Sequence, residues 1–505
     1  MRMFAKLRGF GPGLGLLCAL GSGGCASKDL EVSGELPVTA RDAGDADGGS
    51  DGADAAGSAD DTGVSAPPVR DATVVVPRAD AGKCVNLQCQ QHSCDGGGST
   101  TISGKVYDPA GNNPLYNVVV YVPNAPVSPL PKGASCDSCN SLFSGSPIAV
   151  AQTDAQGRFT IKNAPDGSDI PLVVQIGKWR RQYTLPSVTR CMDNAQPDKM
   201  LRLPRNRSEG DMPSIAISTG EADTLECLLR RIGVDAAEYA SGASDTGNLH
   251  IFQGSPRGNN IAPNTNPAAP QSPDALWNNK DSLMRFDILL LSCEGQETTR
   301  MNQQALHQYA NAGGRVFASH FHYSWFNSGP FGSENLATWN PGSNHIDDIM
   351  GDLVTTLPDG RPFPKGQALN EWLGNVGALQ NGKLPIEEAR NNARVEASHT
   401  PSQVWIVADP SSPAPGAAQY FSFNTPTTVM TTPDAPAAYC GRVVYSDLHV
   451  GAASGDRKDQ AVPSGCANRP LSAQEAALEF MLFDLSSCVM EDDRPPDPPP
   501  VVVLQ

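Results

Sequence analysis

Two hydrophobic periods alternate along the chain, and they change most clearly between Arg285 and Trp325, RFDILLLSCEGQETTRMNQQALHQYANAGGRVFASHFHYSW. FDILLLS and RVFASHF are continuous apolar runs of the kind a strand buried on both faces needs. Between them Leu306, Tyr309 and Ala310 recur at helical spacing, and Gly313 and Gly314 predict the helix stop. Strand, helix and strand joined this tightly predict a right-handed crossover, with both strands ending on one edge of a parallel sheet. Open α/β sheets keep their sites at that edge, and here it collects Cys293, Glu294, His320 and His322.

The same alternation extends on both sides. SIAIST, LHIFQG, VWIVADP, YFSFNTP and GRVVYSDLHV read as strands, and SAQEAALEFMLFDLSS reads as a terminal helix. GEADTLECLLRRIGV reads as an amphipathic helix with Leu225, Leu228, Leu229 and Ile232 on one stripe. Together they predict a three-layer α/β domain over 213–489, with a mostly parallel sheet and a long, poorly periodic insertion at 327–401. The Pro-rich tail, 490–505, is expected to be extended and solvated. Over 83–205 the pattern becomes seven short strands divided by turn signals, which predicts a small β-sandwich behind a Cys-rich start. Residues 26–82 have no aromatic residue and no Cys, and are expected to form a disordered tether reaching roughly 40 Å.

Charge and cysteine content set the surroundings. A net charge of −17 and a pI near 4.9 exclude nucleic acid and an anionic membrane face as partners, since both need a basic surface. Thirteen cysteines point to an oxidising compartment. Arg2, Lys6 and Arg8 followed by GFGPGLGLLCALGSGG predict an export signal over 1–25, too short and Gly-rich for a membrane span. Ser22, Gly23, Gly24 and Cys25 resemble a bacterial lipobox. That resemblance implies lipidation at Cys25 and placement at the outer membrane or cell surface, with a periplasmic or secreted protein as the alternative.

Cys84, Cys89, Cys94, Cys136, Cys139 and Cys191 are expected to form three disulfides that pin the leading segment and a long loop onto the sandwich; a zinc knuckle is the alternative. Cys227, Cys440, Cys466 and Cys488 are the candidates in the α/β part, where Cys293 is also expected to be bridged. Trp179, Arg180 and Arg181 read as an exposed strand end.

Gly104, Asp108, Pro109 and the run Thr153-Asp154-Ala155-Gln156-Gly157-Arg158-Phe159 resemble the carboxypeptidase-regulatory-like, or Cna-B-type, module. That module is a transthyretin-like sandwich, and the resemblance implies scaffolding or adhesion, with a hint of carbohydrate binding. Phe286 to Glu294, the ALHQYANAGGRV run leading to His320, and CGRVVYSDLHV resemble the ThuA-like branch of the glutamine-amidotransferase-like fold, which implies a flavodoxin-like three-layer domain. Amidotransferases of that fold carry a nucleophilic Cys in a Gly-flanked elbow after the GG turn. Here His320 stands near that place with no flanking Gly, so amide hydrolysis is not expected.

Two chemistries fit the strand edge. Cys293 is a candidate nucleophile, with His320 or His322 as base and Glu294 as orienting group. Alternatively His320, His322, Asp447 and His449 form a metal set for zinc or a similar divalent ion, because residues two apart on a strand share a face. The plainer alternative is that these histidines cap strand ends. Tyr323, Trp325, Phe326 and Trp339 could wall a sugar-binding pocket. The expectation is an exported, lipid-anchored cell-envelope protein with a non-catalytic binding or structural role toward carbohydrate or cell-wall material. The alternative is a sugar-processing or metal-dependent hydrolase that uses the His/Asp edge.

Overall fold

The computed structural model describes residues 84–136, 142–242, 244–254, 263–265, 270–298, 300–429, 439–450, 455–496 and 501. The expectations for the export signal, Cys25, the linker and Cys139 lie outside the described residues.

Two four-stranded sheets form the first part. One holds β1 (Thr101–Tyr107), with β4 (Arg158–Ile161), β7 (Asp193–Ala195) and β8 (Leu201–Arg202) paired to it. The other runs β3 (Pro147–Gln152), β2 (Val119–Pro123), β5 (Gly167–Ile176), β6 (Trp179–Val188). Strand alternation does the sorting: Phe159 and Ile161 of β4 turn inward while Arg158 and Thr160 face water. Inward residues of both sheets, among them Ile102, Val106, Val120, Ile170 and Leu172, share one core.

The second part is a ten-stranded sheet. Its parallel half runs β10 (Tyr239–Ser241), β11 (Leu249–Phe252), β9 (Ile215–Ser218), β12 (Ile288–Leu291), β13 (Arg315–Ser319), β20 (Gly441–Ser446). Every side chain of β12, ILLL, is buried, as a central parallel strand requires. Helix α1 (Leu225–Arg231) follows β9, two short turns α2 (Asp274–Trp277) and α3 (Lys280–Leu283) precede β12, and α4 (Gln303–Asn311) makes the crossover from β12 to β13.

Beyond β20 the pairing turns antiparallel through β19 (Ala418–Thr425), β18 (Ser402–Ala408), β15 (Ile349–Leu353) and β16 (Leu384–Ile386). The expected insertion is therefore not an excursion. It carries two sheet strands, the short helices α5 (Gly329–Gly332) and α6 (Pro364–Asn375), and a ribbon of β14 (Thr338–Trp339) with β17 (Ala393–Arg394). The start of the tail also departs from expectation. Asp492 bonds to Lys365 and Arg442, and Asp493 to Arg361, so ion pairs dock this segment.

The sandwich and the sheet are joined by α7 (Ala473–Ser486), capped by Ser472 and Glu475 and buried from Gln474 to Ser486. A helix buried all round must be covered on every side. Phe480 stacks on Tyr116, Phe483 meets Trp179 edge-on, and Leu478 and Leu482 face Leu290 and Phe317 of the sheet. Trp179 is consequently fully buried and Arg180 is held by Asp211 at 2.7 Å, so this strand end is not exposed as expected. The turn after β5 needs Gly177, whose φ is +53° and whose added Cβ would strike the Ser486 carbonyl.

Disulfides join Cys84 to Cys89, Cys94 to Cys191, Cys136 to Cys440 and Cys227 to Cys466, and Cys488 is also disulfide-bonded. Cys136 thus crosses to the α/β part instead of closing on the sandwich. Cys293 stays a buried free thiol, against the expectation of a bridge, because its neighbour is an imidazole. Among the described residues no helix is long and apolar enough to cross a membrane.

Candidate metal centre

Parallel register builds the site. Leu291 lies opposite Ala318, and Ser319 opposite Ser446, so the residues just past β12, β13 and β20 emerge at one level of the sheet edge. Gly220, after β9, passes so close to the Cys293 backbone that a Cβ there would strike its carbonyl. His320 follows β13 with φ +45°, a left-handed conformation of the kind stored at functional sites.

Three donors converge. Cys293 Sγ lies 3.1 Å from His320 Nδ1, and the ligand atoms of Cys293, His320 and His449 are all within 4.8 Å of one another, all buried. His320 Nε2 sits 3.2 Å from the Ser343 carbonyl, which orients the ring, and the two imidazoles meet edge to face at 5.1 Å. The Gly295 N–H donates to Cys293 Sγ at 3.5 Å. Apart from a loose approach to the backbone of Glu388, neither ring nitrogen of His449 is hydrogen-bonded. Burial, helped by His449 and Arg390, lowers His320 to about 2, and burial with Arg390 lowers His449 to about 3. Both rings therefore present lone pairs. Burial pushes the Cys293 thiol up to about 12.

The remaining predicted residues are engaged elsewhere. His320 to Trp325 is a 3₁₀ turn, so the same-face rule for strands does not apply to His320 and His322. His322 Nε2 donates to the Ser292 carbonyl at 2.9 Å, while Nδ1 accepts from Arg300 at 3.1 Å and from Trp325 Nε1 at 3.2 Å. Glu294 pairs with Arg300 at 3.0 Å, and that guanidinium lies between the rings of Trp277 and Trp325. Burial would raise the Glu294 carboxyl, but His322 and Arg300 hold it below its ordinary value. Glu294 is therefore not the orienting group of a Cys293 dyad; the Ser343 carbonyl holds His320 instead.

Asp447 accepts from the Tyr445 hydroxyl at 2.7 Å and the Asn392 N–H at 3.1 Å, and burial raises its carboxyl to about 7. It falls outside the three-donor cluster because β20 ends at Ser446 and the chain turns before His449. Tyr323, Trp325 and Phe326 are fully buried and pack with Trp339 into the core, so they do not line a sugar face. Sequence reasoning missed Ser343, Arg300 and Arg390. The first and last lie in the aperiodic segment, and Arg300 gives no local sign of its pairing with Glu294.

No protein-family model and no curated protein matches the chain. Solved structures give distant likenesses. A protein described as ThuA-like from Parabacteroides merdae aligns at 11% identity and a TM-score of 0.30, over 56% of this chain and 93% of that one. A cohesin–X-dockerin complex from Acetivibrio cellulolyticus aligns at 14% identity and a TM-score of 0.15, over 29% and 78%.

Proposed function

We propose that this chain is a metal-dependent hydrolase whose divalent transition-metal centre is held by Cys293, His320 and His449. The observation that carries the reading is the convergence of these three donors with both His449 nitrogens left without a sound hydrogen bond. A buried imidazole seldom forgoes both partners, since each unmade bond costs roughly 1–3 kcal/mol. One sulfur and two imidazoles suit zinc or a similar ion, and three protein donors leave a fourth position open, as in catalytic sites. A bound ion would supply Lewis acidity toward a substrate oxygen and a neighbouring water.

The chain's own groups position the donors. Ser343 fixes the His320 ring, Gly295 supports the sulfur, and Asp447, tied to Tyr445 and Asn392, holds the turn that presents His449. Export with a lipid anchor at Cys25 belongs to the same proposal, and the disulfides support an oxidising compartment.

Elemental analysis of the chain purified from an oxidising compartment tests the reading. Near-stoichiometric zinc or another transition metal is expected, lost in Cys293→Ser, His320→Ala and His449→Ala but kept in Glu294→Gln. A folded wild type without metal, even after loading, would sink it.

A further inference from the structure

We propose that Arg390 is the anion-binding residue of this centre, so that the substrate carries a carboxylate or phosphoryl group; this rests on the metal reading above. Arg390 lies between β16 and β17, and its neighbours place it over the edge. Its backbone bridges His345, two residues past the Ser343 that holds His320. Its carbonyl accepts from Gln419 at 2.8 Å, and two residues on, Asn392 bonds to Asp447.

Its own contacts leave the guanidinium underused. Nη1 donates to the adjoining Ala389 carbonyl at 3.3 Å, Nη2 lies 3.9 Å from the half-exposed Glu388 carboxylate, and Nε has no partner. Arg231 and Arg442 share the unpartnered Nε, but their Nη groups each meet two carboxylates, Asp456 and Glu475 for Arg231 and Asp484 and Asp492 for Arg442, where those of Arg390 meet one at 3.9 Å. Arg390 is also 13% exposed at its side chain, while His320 and His449 are 2% exposed. Arg390 is thus more accessible than the three deeply buried donors.

A divalent ion on one thiolate and two neutral imidazoles carries a single positive charge, and Arg390 adds one that the Glu388 carboxylate 3.9 Å away offsets. An anionic group on the substrate neutralises it, and the planar guanidinium fork matches carboxylate or phosphoryl oxygens two at a time.

The test uses the full chain loaded with cobalt(II), whose visible spectrum reports its ligand field, titrated separately with inorganic phosphate and with acetate. A saturable spectral change is expected, phosphate alone indicating a phosphoryl substrate and acetate alone a carboxylate. Arg390→Ala should weaken that binding by roughly tenfold or more at unchanged cobalt content, and Arg390→Lys should recover part of it. Should the alanine variant lose its near-ultraviolet dichroism, Arg390→Gln, which keeps most of the stem, supplies the same comparison. A loaded protein that binds neither anion, or binds equally without Arg390, overturns the anion role and leaves the metal reading standing. A folded chain that takes up no cobalt overturns both.

Discussion

His322 donates from one ring nitrogen and accepts at the other, which leaves no lone pair for a metal or a proton. Its replacement by Ala strands the Ser292 carbonyl, the Trp325 N–H and one N–H of Arg300. We expect a loss of about 2–4 kcal/mol in urea unfolding with metal content unchanged, the reverse of the pattern for His449→Ala. His320 and His322 looked equivalent in the sequence because both follow one apolar run. Strand geometry gives residues two apart a common face, but the chain enters a 3₁₀ turn at His320, where each residue turns by about 120°. The apposition of Cys293 with His320 was legible, since a parallel crossover brings both strand ends to one edge. That His449 and not Asp447 completes the set was not, because nothing in SDLHV marks the turn after Ser446.

At the scale of elements, FDILLLS and the double glycine were enough to place β12, α4 and β13. The strands β15 and β16 were hidden by brevity. They hold five and three residues, IMGDL and LPI, too few for a period to show, and their place is set by pairing with β18 and with each other. The Cys136–Cys440 bridge was equally invisible, since its 304-residue separation carries no spacing signal. Changing both cysteines to Ser removes the covalent tie between the sandwich loop and the strand leading to the site. An expected cost of about 2–5 kcal/mol should appear in chemical unfolding, and a cost under ~0.5 kcal/mol would show that packing alone holds the loop.

For the whole molecule, buried carboxyls set the pH response. Glu226, with neither oxygen hydrogen-bonded, is raised from an ordinary 4.5 to about 8 by burial, and Asp108 to about 6. Glu479 is raised well above its ordinary value by burial and by facing Asp108 across the junction of sandwich and α7. An acid whose folded value is raised holds its proton more tightly in the folded state, so stability falls as pH climbs from the unfolded value to the folded one. Buried histidines, held neutral in the folded state, act the opposite way below their ordinary 6.5, so the decline in unfolding free energy should show from about pH 7 to about pH 8. Glu226→Gln should flatten that slope, and a wild type equally stable at pH 7 and 8.5 would contradict the assignment.

Among the described residues helix α7 is the last element to be made, yet it fills the core beneath the first sheet pair as well as the parallel strands. Tyr116 and Trp179 gain their contacts with Phe480 and Phe483 only when this helix emerges, some three hundred residues after Trp179. That face of the sandwich therefore stays incompletely covered until then, and a nascent chain stopped short of α7 would offer it to chaperones.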